Sequence, residues 1–144
     1  MIRFTTYRKF DTRTGWNRAI KFFFKGDTTR EAGNVINIET MLRNNGDGTF
    51  EDVTQQAGVE GCQECYSGGA TWFDHDRDGD LDLYVSILNG PNFLYQNEGN
   101  GTFLNATYYE GVAGEGVTWT TLALDVGKDG FIDLYCANDT QINQ

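Results

Sequence analysis

Apolar and polar residues alternate with a period of two through much of this chain. In Leu81-Asp-Leu-Tyr-Val-Ser-Ile87 the residues Leu81, Leu83, Val85 and Ile87 share one face, and Ile132-Asp-Leu-Tyr-Cys-Ala137 restarts the same alternation. Successive side chains point to opposite faces of a strand, so both segments are predicted as half-buried strands. Gly69-Ala-Thr-Trp-Phe73, Phe93-Leu-Tyr-Gln96 and Thr102-Phe-Leu-Asn105 read as further short strands. Between them lie turn signals at Asn89-Gly-Pro-Asn92 and Glu98-Gly-Asn-Gly101. Residues 67–106 are therefore expected to hold four antiparallel strands.

The pattern repeats. Met41-Leu-Arg-Asn-Asn-Gly-Asp-Gly-Thr-Phe50 returns 53 positions later as Leu94-Tyr-Gln-Asn-Glu-Gly-Asn-Gly-Thr-Phe103, and the match continues through Thr54/Thr107, Gly58/Gly111, Val59/Val112 and Gly61/Gly114. A second set, Asp74, Asp78, Gly79, Asp82, Leu83 and Tyr84, returns 51 positions later as Asp125, Asp129, Gly130, Asp133, Leu134 and Tyr135. A period of about 50 residues with four strands per unit is the content of a β-propeller blade, so the predicted fold is all-β, built of such blades. Equivalent strands are expected at 39–54 and 117–137. Residues 1–34 take no assignment: 18–25 and 35–40 fit strands of a divergent preceding blade, while 11–15 and 26–33 show turn chemistry alone. The expected organisation is a basic segment over 1–38 and a repeat region over 39–144, with one complete blade at 67–106 and partial blades before it and at 117–144.

Charge sharpens this division. Residues 1–43 hold nine of the eleven Lys and Arg against four acids, a balance of +5, whereas 44–144 hold two against seventeen, a balance of −15. A segment that acidic repels phosphate and anionic lipid, which excludes nucleic acid and membrane surfaces as its partners and favours cations. The 144 residues contain no apolar run of the roughly 20 needed to span a membrane. Residues 1–10 lack the apolar core of a secretory signal.

The cations have a candidate site. Asp74-His-Asp-Arg-Asp-Gly-Asp-Leu-Asp82 alternates five carboxylates over nine residues. That spacing gathers oxygens at positions 1, 3, 5 and 9 around a sharp turn at Gly79, and an all-oxygen donor set selects Ca²⁺ over Zn²⁺. Asp74, Asp76, Asp78 and Asp82 would donate carboxylate oxygens and Asp80 its backbone carbonyl. An EF-hand loop begins alike but needs a bidentate Glu at position 12, where this chain has Val85 inside a strand pattern. The second copy, 125–133, keeps Asp125, Asp129 and Asp133, but Gly127 replaces one carboxylate and Lys128 adds a positive charge. It should bind more weakly, or keep its turn without an ion.

These residues carry a resemblance. Gly68-Gly-Ala-Thr-Trp-Phe-Asp-His-Asp-Arg-Asp-Gly-Asp-Leu-Asp-Leu-Tyr-Val85, followed by Asn92-Phe-Leu-Tyr-Gln-Asn97 and Gly99-Asn-Gly-Thr-Phe103, resembles the FG-GAP or VCBS repeat, and more narrowly the cartilage acidic protein 1-like and ASPIC/UnbV group. It covers about 39–144. The resemblance implies an integrin-α-like propeller with Ca²⁺ held between the first two strands of a blade. Such propellers commonly have seven blades, so the chain reads as a fragment of an incomplete propeller, with the remaining blades of its parent protein as partners and exposed strand edges.

Other candidates are weaker. Cys62 and Cys65 fit either a short disulfide in an exported protein or two free thiols, and Cys136 reads as a small buried residue. His75 is expected to face solvent; Trp72, Trp119, Tyr84 and Tyr135 are expected to pack between blades. No nucleophile–base set stands apart from the acidic loops. Two functional classes follow. One is a noncatalytic, calcium-binding propeller segment of a secreted, cell-surface or periplasmic protein that recognises protein or glycan. The other is part of a propeller enzyme, such as a polysaccharide lyase, with catalytic residues outside this chain.

Overall fold

The computed structural model describes residues 3–10, 17–25, 38–62, 65–114 and 116–139. The turns expected at 11–15 and 26–33, and the start of the strand expected at 35–40, lie outside them. The chain divides into two compact units, 1–64 and 65–144.

The first unit holds a four-stranded antiparallel sheet in chain order: β1 (Arg3–Phe10), β2 (Asn17–Lys25), β3 (Ile38–Asn44) and β4 (Phe50–Asp52). Its register sets Thr6 opposite Lys21, Phe22 opposite Met41 and Arg43 opposite Glu51, and the last pair closes an exposed ion pair at 2.6 Å. After β4 the chain makes one helical turn, α1 (Thr54–Ala57), ended by Gly58 at φ 74°. Periodicity over so few residues could not announce it. The reason for the turn is local: Asp52 Oδ1 accepts the amide and hydroxyl of Thr54 at 3.0 and 2.7 Å, and Thr54 Oγ1 in turn accepts the amide of buried Met41 at 2.8 Å.

The second unit repeats that design. β5 (Ser67–Phe73), β6 (Asp82–Ile87), β7 (Phe93–Asn97) and β8 (Phe103–Asn105) form an antiparallel sheet in chain order, and β9 (Val117–Leu124) pairs with β10 (Asp133–Asp139) in a hairpin. Leu94 N donates to Thr107 Oγ1 at 2.8 Å, the same bond that Met41 makes to Thr54, 53 positions earlier. The Gly-x-Gly-Thr hairpins match as well. Asp47 Oδ1 accepts Thr49 N and Oγ1 at 2.9 and 2.6 Å, and Asn100 Oδ1 accepts Thr102 N and Oγ1 at 2.9 and 2.7 Å. The Thr49 hydroxyl bond, then its amide, holds the Asp47 carboxyl below the ordinary value. The architecture is all-β apart from α1, in open sheets of two to four strands.

The core of the second unit joins its two sheets. Phe73, Tyr84, Leu94 and Ala106 form a buried cluster, covered by Val112, Ala123, Leu134 and Cys136. β6 is buried at every position, where the sequence pattern suggests one wet face. The cause is the hairpin and the segment that leads into it: Ser86 Oγ meets Thr121 Oγ1 at 2.9 Å, and Tyr84 donates its hydroxyl to the Val112 carbonyl at 2.7 Å. Burial, and next to it Cys136, pushes the Tyr84 phenol well above its ordinary value. Asn92, also buried, accepts the Ile87 amide at 2.8 Å and donates to Thr118 Oγ1 at 3.0 Å. A glycine lets β5 approach β9: a Cβ on Gly68 would lie 2.6 Å from the Thr118 and Trp119 carbonyl oxygens.

Tyr84 takes the expected place between sheets, but Trp119 and Tyr135 do not. They are 49% and 66% exposed, alongside Leu122 and Leu124 on β9. Among the described residues β10 pairs only with β9, and no sheet covers this face.

Candidate metal centre

The first acidic loop leaves β5 at Phe73 and enters β6 at Asp82. Gly79, at φ 90°, makes the sharp turn the spacing calls for, because a side chain is strained in that conformation. Three local bonds fold the loop inward: Gly79 N donates to Asp74 Oδ2 at 3.1 Å, Asp78 N to Asp76 Oδ1 at 3.2 Å, and Asp80 N to Asp78 Oδ1 at 2.7 Å. As a result Asp74, Asp76 and Asp78 bring carboxylate oxygens within 4.8 Å of one another. Asp74 Oδ1 is buried with no hydrogen-bond partner. A buried carboxylate oxygen lacking a donor is costly, and beside two further carboxylates it fits a hard cation.

Asp82 occupies a different environment. It is only 1% exposed and is held from three sides: Asn97 N donates to Oδ1 at 2.7 Å, and Oδ2 receives His75 N at 2.8 Å with His75 Nδ1 at 2.9 Å. Three of the four lone-pair positions of the carboxylate are taken, two of them on Oδ2, which leaves one on Oδ1 with which Asp82 could reach a cation. Asp76, Asp82 and His75 make a second close group that shares Asp76 with the first. His75 is thus a partly buried anchor of Asp82, its side chain 13% exposed, and does not face solvent as the sequence suggested. The ring also stands edge-on to Phe73, 6.3 Å between centroids.

Gln96 carries no sign of a role in the sequence pattern, yet its Nε2 donates to Asp76 Oδ2 at 2.7 Å. Asn97 was visible as a recurring motif residue without a role. In the structure its amide clamps Asp82, its Nδ2 donates to the Leu81 carbonyl at 3.0 Å, and its Oδ1 starts the next hairpin by accepting Gly99 N.

The second loop has the same backbone. Gly130 N donates to Asp125 Oδ2 at 2.9 Å, Phe131 N to Asp129 Oδ1 at 2.9 Å and Val126 N to Asp133 Oδ2 at 2.9 Å, each the counterpart of a bond in the first loop. Asp133, however, is exposed where Asp82 is buried, since among the described residues β10 has no second neighbouring strand to supply the amide that Asn97 of β7 supplies to Asp82. Among the described residues, both close groups of three ligands fall on the first loop. Cys62 and Cys65 are disulfide-bonded, and Cys136 is a free thiol packed on the core.

Repeated antiparallel sheets, with an acidic nine-residue loop between the first two strands of a blade, define a propeller-type repeat. The FG-GAP-like repeat family matches residues 37–85 and 74–136, and the chain belongs to that family. Among individual proteins it is similar to cartilage acidic protein 1. Identity is 38% over 58 residues with the Mus musculus protein and 38% over 55 residues with the Homo sapiens one. These stretches span 40% and 38% of this chain but only 9% and 8% of the relatives' lengths.

Proposed function

We propose that this chain is a calcium-stabilised stretch of propeller blades with a noncatalytic role in recognising protein or glycan outside the cell. The observation that carries the reading is the buried, donorless Oδ1 of Asp74, on a carboxylate grouped closely with those of Asp76 and Asp78. Asp74, Asp76, Asp78 and Asp82 would hold Ca²⁺ by carboxylates, with Asp80 contributing its carbonyl. Asp125, Asp129 and Asp133 would form a weaker site. Bound calcium neutralises the carboxylate repulsion and fixes the β5–β6 connection.

Two features support an extracellular setting. The Cys62 and Cys65 disulfide state suits an oxidising compartment. Open loops of this type suit millimolar calcium. No helix among the described residues is long and apolar enough to cross a membrane. The relatives are named for cartilage and acidity, and residues 44–144 of this chain are strongly acidic as well.

The exposed face of the β9–β10 hairpin points to further blades as partners. Leu124 and Tyr135 stand at the repeat positions of Phe73 and Tyr84, which the hairpin itself covers. A face with large apolar residues at the same repeat positions is suited to receive a sheet of the same kind.

The test is calorimetric titration of the full chain with calcium, alongside Asp78→Ala and Asp129→Ala. The tighter event should vanish in Asp78→Ala and persist in Asp129→Ala. The opposite pattern would reverse the ranking of the loops, and no binding at millimolar calcium in any of the three would refute the metal assignment. For a dissociation constant of about 0.1 mM and about 1 mM calcium, occupancy of the first loop stabilises the fold by about 1.4 kcal/mol.

A further inference from the structure

Arg77 sits at the apex of the first acidic loop with φ 66°, and Lys128 holds the equivalent place in the second with φ 55°. The two side chains do different things. The Arg77 guanidinium carbon lies 5.1 Å from the centroid of the Phe131 ring, at the seventh position of the second loop. A Cβ on the neighbouring Gly130 would stand 3.9 Å from both terminal guanidinium nitrogens, so the arginine lies close over that loop's turn. Phe131 is 58% exposed, and its amide is fixed by Asp129. Two loops on neighbouring sheets of one compact unit therefore touch through a cation over a ring.

We propose that the Arg77–Phe131 pair couples the loops, so that calcium bound at 74–82 also steadies the β9–β10 hairpin. This rests on the calcium reading of the first loop. Arg77 lies between Asp76 and Asp78, and the Asp78 amide closes around it onto Asp76 Oδ1. The bonds holding the apex, Asp78 N to Asp76 Oδ1 at 3.2 Å and Gly79 N to Asp74 Oδ2 at 3.1 Å, are exposed to solvent. A cation drawing Asp74, Asp76 and Asp78 together fixes the apex and with it the guanidinium. Linkage makes the effect mutual: the docked hairpin tightens calcium by the factor with which calcium tightens the hairpin. For an exposed cation–ring contact that factor is about two- to five-fold. Phe131 is the informative residue to change, because removing Arg77 also removes a positive charge from the site and would alter affinity for that reason alone.

The experiment is hydrogen exchange with and without calcium on the full chain carrying Asp133→Asn, which weakens the second loop while keeping an oxygen to accept the Val126 amide. Calcium is expected to slow exchange both in 74–82 and in 117–139. Adding Phe131→Ala should abolish the protection of 117–139 alone and weaken calcium binding about two- to five-fold. Phe131→Tyr, which keeps the ring, should restore both. Protection confined to 74–82, or an unchanged dissociation constant in Phe131→Ala, overturns the coupling and leaves the calcium site standing. If calcium neither binds nor changes exchange anywhere, the calcium reading fails and the coupling falls with it.

Discussion

Replacing Gly68 with alanine puts a methyl carbon where β9 already stands. Its Cβ would lie 2.6 Å from the carbonyl oxygens of Thr118 and Trp119 and 3.0 Å from the Trp119 carbonyl carbon. All three are backbone atoms, so no rotamer change relieves the contact and β9 must withdraw from β5. Withdrawal stretches the bonds that join the two sheets, Thr71 Oγ1 to the Thr121 carbonyl at 2.5 Å and Ser86 Oγ to Thr121 Oγ1 at 2.9 Å. Each such bond contributes about 1 kcal/mol net. Overpacking a close contact costs about 1–3 kcal/mol. We expect Gly68→Ala to lose about 2 kcal/mol, or about 8–16 °C in Tm for a unit of this size.

Gly69→Ala is the internal control. Its nearest neighbour is the Thr120 hydroxyl at 3.3 Å, a side-chain atom that can turn away. That variant should stay within about 0.5 kcal/mol of the parent. Urea unfolding and thermal melts of the full chain, parent and both variants, read the difference directly. Equal midpoints for the two alanine variants would refute the claim that β5 and β9 meet backbone to backbone.

Three further outcomes follow from the same packing. Asn92→Ala leaves the buried Ile87 amide without an acceptor and Thr118 without a donor, and should cost about 2–3 kcal/mol by urea unfolding. The Tyr84 phenol is raised by burial, so the folded chain keeps a proton that the unfolded chain sheds above about pH 10. Stability should be unaffected by this group below that pH and fall above it by at most about 1.4 kcal/mol per pH unit, a slope that Tyr84→Phe removes in pH-dependent unfolding. The bare β9–β10 face should make the chain self-associate, and Leu122→Lys with Tyr135→Lys should shift light scattering toward monomer without lowering the melting temperature.

Much of this protein is legible in the order of its residues, because the determinants are local. Gly-x-Gly-Thr writes a hairpin by itself, since the glycines take positive φ and the preceding Asp47 or Asn100 binds the threonine two positions on. The Asp–Gly loop at 74–82 is legible for the same reason, as its inward bonds run between residues two to five positions apart. Four strands per repeat follow from alternation between such turns.

Tertiary structure decided the rest. Asp82 and Asp133 occupy the same repeat position, yet one is buried under Asn97 and His75 and the other is exposed, because among the described residues only the first has a third strand in its sheet to cover it. His75 looked like a loop residue in solvent until the fold laid it against Asp82. Tyr84 and Tyr135 also match in sequence, and one is interior while the other is two-thirds exposed. A period-two pattern tells which side chains share a face of a strand. Whether that face is dry depends on what the chain packs against it from fifty residues away, and no local pattern encodes that distance.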